Sequence, residues 1–167
     1  MKILVIDDAR RNCLSAELLR TETDKVTIVS SIEDARFALS IDVGGYDAVL
    51  TDLFMPGANG LEMPAGLVFA LKAVSNGVRA VVCTDADHHS DELCSLLDLL
   101  RIESYEKKWR LVTKVEARSV ALLAVFDAER DQLEFCEWDD PRMEGQPYIK
   151  DWRQVLRYSG LFPEKEG

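Results

Sequence analysis

Three aspartates directly follow two short apolar runs, where their carboxylates could act together. Asp7 and Asp8 follow the run at residues 2–6, and Asp52 follows the run at residues 48–51. Carboxylates within a few ångströms of one another repel unless a cation or a retained proton compensates their charge. Oxygen ligands of this kind suit a hard ion such as Mg²⁺, which also binds phosphate oxygens. The three residues therefore predict an acidic site that handles a metal ion and phosphate.

Strand-like and amphipathic segments alternate along the first hundred residues. Strands are predicted at 2–6, 26–29, 48–51 and 79–84, and helices at 9–22, 32–40, from Pro64 to a stop at Gly77, and at 91–101. Ser31 is the predicted N-cap of the second helix, with Asp34 in the capping-box position. The alternation predicts right-handed crossovers and a doubly wound parallel sheet. Ligands bind beyond the carboxyl ends of the strands in such a sheet, so the aspartates should share one pocket.

Two runs after residue 100 compete for the place of the fifth parallel strand. We favour residues 120–126, the longer and more apolar run, with 109–115 as an antiparallel hairpin partner through a turn at 116–118. A closing amphipathic helix at 151–158 then turns Trp152, Val155 and Leu156 towards the sheet. The alternative makes 111–113 the fifth strand and 117–126 the last helix, because short apolar runs suit either structure.

The bulk properties of the chain indicate one domain without a membrane or nucleic-acid partner. Its 167 residues suit a single domain at 1–160 with a tail at 161–167. A net charge of −10 disfavours direct contact with nucleic acid, which is itself a polyanion. No apolar run approaches the roughly 20 residues that span a bilayer, and no signal peptide is recognised. We therefore expect a cytoplasmic protein, whose four cysteines are reduced thiols because they form no CxxC pair.

In combination, three motifs resemble the receiver domains of bacterial response regulators. The paired acids of VIDDARR follow the first strand. TDLFMPGANG places an aspartate after the third strand, followed by Met-Pro and a glycine. VVCT ends the fourth strand on Thr84, where receivers hold a hydroxyl. The match covers about residues 1–100. It implies a flavodoxin/CheY-like α/β fold with a five-stranded parallel sheet of order 2-1-3-4-5. The predicted hairpin adds an extra strand to this sheet.

The resemblance also implies a role for each matching residue. Asp52 would be the phospho-acceptor, a carboxylate nucleophile towards a phosphohistidine or a small phosphodonor. Asp8 would bind Mg²⁺ directly and Asp7 largely through water, while Asp52 and the backbone carbonyl of Phe54 would add ligands. Thr84 would hydrogen-bond a phosphoryl oxygen and draw its loop inward.

The partners follow from the same resemblance. A sensor histidine kinase or a phosphotransfer protein would supply the phosphoryl group, and a downstream protein would be the target. No output domain is recognised after the receiver motifs, so we expect a stand-alone receiver that signals by protein contact. It would be no enzyme beyond its self-catalysed phosphoryl transfer.

Three positions depart from the receiver pattern. Asp85 follows Thr84 where receivers have a small residue, so its charge would repel an incoming phosphoryl group. Receivers end strand five in a Lys-Pro pair whose lysine reaches the phosphoryl oxygen. The positional candidate is Lys114, followed by Val115, and the favoured topology places it on the hairpin partner. No aromatic residue stands two positions before it, where Val112 lies.

Two histidines, His88 and His89, fall in the loop after the fourth strand and should border the same pocket. We interpret them as part of a solvated loop, because adjacent histidines point in different directions. The alternative is that one of them joins the carboxylates in binding a transition metal, which imidazole favours over Mg²⁺.

Other functions remain open for the acidic residues. Asp8 taken alone could simply be the N-cap of the first helix. The chain could be a pseudo-receiver that binds a partner without phosphotransfer, as Asp85 and the missing Lys-Pro pair suggest. It could also be a metal-dependent enzyme that uses the same pocket, although Phe54 stands where an aspartyl-phosphate phosphatase would have its second acid.

Overall fold

The chain folds as an α/β structure built on one large sheet. The computed structural model describes residues 1–84, 104–105, 110–115, 119–125, 150 and 152–159. The strands are β1 (Lys2–Ile6), β2 (Lys25–Val29), β3 (Ala48–Thr51), β4 (Met55–Pro56), β5 (Glu62–Met63), β6 (Arg79–Thr84), β7 (Ser104–Tyr105), β8 (Arg110–Val115) and β9 (Ser119–Val125). The helices are α1 (Arg10–Glu17), α2 (Ile32–Asp42), α3 (Ala65–Ser75) and α4 (Trp152–Ser159), with a 3₁₀ turn at Val43–Gly45.

The strand order of the large sheet is β2-β1-β3-β6-β9-β8-β7. The parallel part of this sheet consists of β2, β1, β3, β6 and β9. If these five strands are numbered 1 to 5 in chain order, their order in the sheet is the predicted 2-1-3-4-5. Strand β8 pairs antiparallel with β9, and β7 pairs antiparallel with β8. The predicted fold class, fifth strand and hairpin partner are therefore confirmed, while β7 and the small β4–β5 ribbon were not predicted.

The apolar strand sequences are explained by burial on both faces of the sheet. Successive side chains of a strand point to opposite faces. In β1, Leu4 and Ile6 pack into the core formed with α2 and α3, while Ile3 and Val5 pack into the core on the side of α4. All four are at most 1 % exposed. A strand covered on both sides must be apolar throughout rather than alternating, as in parallel sheets generally.

Local signals mark most of the helix ends as predicted. The Ser31 hydroxyl oxygen accepts a hydrogen bond from the Asp34 N–H at 3.0 Å, and the hydroxyl donates to Asp34 Oδ2 at 2.8 Å. Gly77 ends the α3 region with φ +78°, a backbone conformation that glycine adopts without steric cost. Helix α1 is shorter than predicted: it ends at Glu17, after which the N–H groups of Leu18, Leu19 and Arg20 donate to the carbonyl oxygens three residues back instead of four.

The closing helix α4 covers one face of the sheet, as predicted. Trp152, Val155 and Leu156 are buried against residues of β1, β3 and β6. Among the described residues, no helix is long and apolar enough to cross a membrane. The predicted helix at 91–101 and the turn at 116–118 lie outside the described residues.

Candidate functional site

The carboxyl ends of β1 and β3 bring the three predicted aspartates together. These strands are neighbours in register, with Ile6 beside Thr51, so the next residues, Asp7 and Asp52, come side by side. One carboxylate oxygen from each of Asp7, Asp8 and Asp52 lies within 4.8 Å of the others. Asp7 and Asp52 are buried, whereas Asp8 is exposed. The structure thus assembles the acidic cluster with Asp8 at its solvent side.

The Asp7 carboxylate is fully buried and held by four hydrogen bonds. Its Oδ1 accepts from the Ala9 N–H at 2.9 Å and from Asn12 Nδ2 at 3.1 Å. Its Oδ2 accepts from Asn12 Nδ2 at 3.1 Å and from Lys150 Nζ at 2.9 Å. Helix α1 has Ala9 as its N-cap residue, with no side-chain cap bond, so Asp8 is not the cap. The buried charge of Asp7 is stabilised because both of its oxygens have donors.

Asp52 is fixed through both its side chain and its backbone. Its Oδ1 accepts from the Leu53 N–H at 2.6 Å and lies 2.8 Å from Lys150 Nζ. Its carbonyl oxygen accepts from the Thr51 hydroxyl at 2.9 Å. The first turn of α3 packs on the same carbonyl, where a Cβ added to Gly66 would lie 1.5 Å from the Asp52 oxygen. Only glycine allows α3 to approach this closely.

Lys150 belongs to the candidate site and was not predicted from the sequence. Its side chain is 1 % exposed, and Nζ bridges Asp7 Oδ2 and Asp52 Oδ1. The receiver pattern places a lysine at the end of the fifth strand, whereas Lys150 stands just before the closing helix α4. Its position next to a predicted helix start could have identified Lys150 as a candidate, because such a residue can lie at the same sheet edge as the aspartates.

Lys114 is not brought to this cluster. It lies on β8, where its Cα partner is Val120 near the amino end of β9. The amino ends of the parallel strands form the edge of the sheet opposite to the one that carries Asp7 and Asp52. The backbone of Lys114 therefore lies on the antiparallel hairpin partner, as the favoured topology predicts, and not at the end of the fifth parallel strand.

The remaining predicted site residues are described only in part. Thr84 ends β6, the parallel neighbour of β3, so its backbone lies at the same carboxyl edge. Phe54 is partly buried against the core, two residues after Asp52. The Thr84 side chain lies outside the described residues, as do Asp85, His88 and His89, so their roles stay predictions.

The donor set of the cluster fits a divalent, oxygen-binding cation. Three carboxylates against one ammonium group leave a formal charge of −2. Mg²⁺ is bound through one or two carboxylates and keeps several water molecules, which suits the exposed position of Asp8. The residues that could hold the ion are Asp7, Asp8 and Asp52, with the Phe54 carbonyl as the further predicted ligand.

Cys13 borders the cluster but is a poor nucleophile. Its thiol donates a hydrogen bond to the Asp7 carbonyl at 2.9 Å. Burial, followed by the negative charges of Asp7 and Asp8, raises the pKa of the Cys13 thiol to about 11. Because the thiolate is the reactive form, this cysteine is protonated and unreactive at neutral pH. Neither Cys13 nor the buried Cys83 forms a disulfide, which agrees with the prediction of reduced thiols for these two cysteines.

A sequence comparison relates part of the chain to a known regulator. No family model matches the chain. A stretch of 68 residues is 37 % identical to the transcriptional regulatory protein TcrA of Mycobacterium tuberculosis. The stretch covers 40 % of this chain and 26 % of that protein, so the chain spans about a quarter of the length of the relative it matches.

Two solved structures resemble the fold. The receiver domain of the hybrid histidine kinase CckA matches with a TM-score of 0.41 and 20 % identity, over 60 % of this chain and 95 % of that one. The N-terminal domain of a response regulator/sensory box/GGDEF 3-domain protein from Carboxydothermus hydrogenoformans matches with a TM-score of 0.40 and 22 % identity, over 57 % and 74 %. Each of these two similarities extends over more than half of this chain.

Proposed function

We propose that this domain is a phosphorylatable receiver of two-component signalling, with Asp52 as the phospho-acceptor. The observation that carries the proposal is the Lys150 ammonium group, which lies 2.8 Å from Asp52 Oδ1 and 2.9 Å from Asp7 Oδ2. A fixed positive charge beside the acceptor is placed where the oxygens of a phosphoryl group would gather. An aspartate that only began a loop would need no buried lysine.

The proposed reaction is an in-line transfer to the Asp52 carboxylate. A carboxylate oxygen attacks phosphorus, a new P–O bond forms, and the leaving group departs with the electron pair of its broken bond to phosphorus. The donor is a phosphohistidine of a kinase or phosphotransfer protein, or a small molecule such as acetyl phosphate. Lys150 offsets charge on the phosphoryl oxygens, and Thr84 would hydrogen-bond one of them.

Mg²⁺ is the proposed cofactor of this transfer. Asp7, Asp8, Asp52 and the Phe54 carbonyl would hold it, and it would supply positive charge to the transferring phosphoryl group. Two observations support the assignment. The carboxylate oxygens lie within 4.8 Å of one another, and the cluster keeps a formal charge of −2 after Lys150 is counted.

The proposed output is contact with a downstream protein. The curated relative is named a transcriptional regulatory protein, which supports a role in a signalling chain. The net charge of −10 favours contact with a protein over direct contact with nucleic acid.

Intact mass spectrometry tests the proposal. The purified chain is incubated with Mg²⁺ and acetyl phosphate or phosphoramidate. We expect the mass of one phosphoryl group to be added to the wild type and to Glu33→Gln, a control that removes an exposed charge on α2. The addition is lost in Asp52→Asn. A folded wild-type protein that gains no mass with either donor contradicts the proposal.

A second candidate function is a pseudo-receiver, a binding module that keeps the fold without phosphotransfer. The specific observation in its favour is that both oxygens of Asp7 already accept hydrogen bonds from Asn12 and Lys150 within the protein. Such a module would stay at its unmodified mass with both donors, which separates it from the first candidate.

A further inference from the structure

Asn12 joins the two halves of the candidate site through one side-chain amide. Its Nδ2 donates to both carboxylate oxygens of Asp7 at 3.1 Å. Its Oδ1 accepts from the backbone N–H of Lys150 at 3.0 Å. The reversed amide would set an oxygen against the carboxylate and an NH₂ group against an N–H, so these partners fix its orientation. Asn12 is 1 % exposed, and its hydrogen bonds are therefore shielded from water.

The backbone of Lys150 is positioned by helix α1. Lys150 follows well after the fifth parallel strand, which ends at Val125, and belongs to no strand itself. Its N–H donates to Asn12 Oδ1, and its carbonyl oxygen accepts from the Ser15 hydroxyl. The indole of Trp152 donates to the Asn12 carbonyl at 3.1 Å. These bonds hold Lys150 and Trp152 against α1.

We infer that Asn12 is a positioning residue for phosphoryl transfer to Asp52 and that it acts through Lys150. The inference rests on the proposed function. The Asn12 amide donates hydrogen bonds to the Asp7 carboxylate without adding a charge to the three carboxylates. The same amide fixes the backbone of Lys150, whose Nζ reaches Asp52. Nζ lies 2.8 Å from Asp52 Oδ1, so a displacement of about 1 Å would remove the contact, and a misplacement of that size can cost about 100-fold in rate.

A double-mutant cycle tests whether Asn12 acts through Lys150. The rate of phosphorylation by acetyl phosphate with Mg²⁺ is measured for the wild type, Asn12→Ala, Lys150→Met and the double variant. We expect Asn12→Ala to lower the rate about 10- to 100-fold and to have no further effect in the Lys150→Met background. Glu17→Gln, an exposed substitution on the same helix, should keep the wild-type rate.

The reactivity of Lys150 gives a readout that does not depend on phosphorylation. Peptide mapping after treatment with an amine-acylating reagent should find Lys150 protected in the wild type and modified in Asn12→Ala, with exposed Lys25 as the reference. The thiol of Cys83, 1 % exposed, should stay protected from alkylation in both proteins, which shows that the sheet is intact. If Asn12→Ala also exposes Cys83, then Ser15→Ala replaces it, since this variant removes only the bond to the Lys150 carbonyl.

The outcomes separate the inference from the proposed function. A wild type that takes no phosphoryl group defeats the proposed function, and with it the kinetic role of Asn12. A phosphorylated wild type with an equally fast Asn12→Ala variant, or with Lys150 equally protected in both, overturns the inference alone. An Asn12→Ala effect that persists in the Lys150→Met background also overturns it, because the effect would then not pass through Lys150. If Ser15→Ala is used in place of Asn12→Ala, the inference is overturned when this variant is phosphorylated at the wild-type rate and its Lys150 stays protected from acylation.

Discussion

Lys150 Nζ lies 2.9 Å from Asp7 Oδ2, although the two residues are 143 positions apart in the sequence. Both are buried, with side-chain exposures of 1 % and 0 %. A buried ion that loses its partner keeps the full cost of its desolvation. The pair therefore ties Lys150 to the end of β1 and makes these two residues of the candidate site part of the folded core.

Removal of the buried ammonium group should destabilise the protein. We expect Lys150→Met to lower the free energy of unfolding by about 3–5 kcal/mol, because Asp7 is left buried without its cation. Urea titration measures this. Lys25→Met, an exposed substitution on β2, should stay within about 0.5 kcal/mol of the wild type. Equal stability of Lys150→Met and the control would show that the pair is not a buried ion pair in solution.

Neutralising Asp7 should also destabilise the fold, despite the like charges around it. Asn at this position offers one acceptor oxygen where Asp7 uses two, so at least one of its donors loses its partner at a cost of about 1–3 kcal/mol. Asp8→Asn should change the stability far less, because Asp8 is exposed. Denaturant titration measures the free energy of unfolding of both variants and of the wild type. A more stable Asp7→Asn would mean that repulsion among the carboxylates outweighs the hydrogen bonds.

Gly66→Ala should disturb Asp52 directly. The new Cβ would lie 1.5 Å from the Asp52 carbonyl oxygen, so either α3 or the end of β3 must move. We expect a lower melting temperature and slower phosphorylation by acetyl phosphate. Gly44→Ala is the matched control, since a Cβ there meets nothing within 4 Å. Wild-type behaviour of Gly66→Ala would show that α3 does not pack on Asp52.

The Cys13 thiol should resist alkylation in the folded protein at pH 8. Burial, and then the charges of Asp7 and Asp8, raises its pKa from 9.0 to about 11, so less thiolate is present than in the unfolded chain. The rate should rise as the pH approaches 11. Between pH 9.0 and about 11 the thiol loses its proton in the unfolded chain but keeps it in the folded one. The folded protein therefore becomes less stable as the pH rises through this range. Peptide mapping of iodoacetamide adducts in native and denatured protein measures the difference, and equal rates at pH 8 would contradict the shift.

The local signals of the sequence predicted the sheet and the acidic cluster, because each depends on residues close to a strand end. Asp7 and Asp52 follow apolar runs directly, and parallel strands bring such ends to one edge. Lys150 could not be assigned in the same way. Its place depends on hydrogen bonds to Asn12 and Ser15 on α1, which are distant in sequence and leave no periodic pattern. Lys114 matched the family pattern only by its order in the sequence, and the predicted antiparallel pairing of its strand is the one observed.

Chemical trapping of the acyl phosphate tests the central claim most directly. Borohydride reduces an aspartyl phosphate to homoserine, so tandem mass spectrometry identifies the acceptor residue after incubation with Mg²⁺ and acetyl phosphate. Our account predicts homoserine at position 52, with a much lower yield in Lys150→Met at matched times. Homoserine at another aspartate, or none in a folded protein that is supplied with Mg²⁺ and donor, would contradict the assignment of Asp52 as the phospho-acceptor.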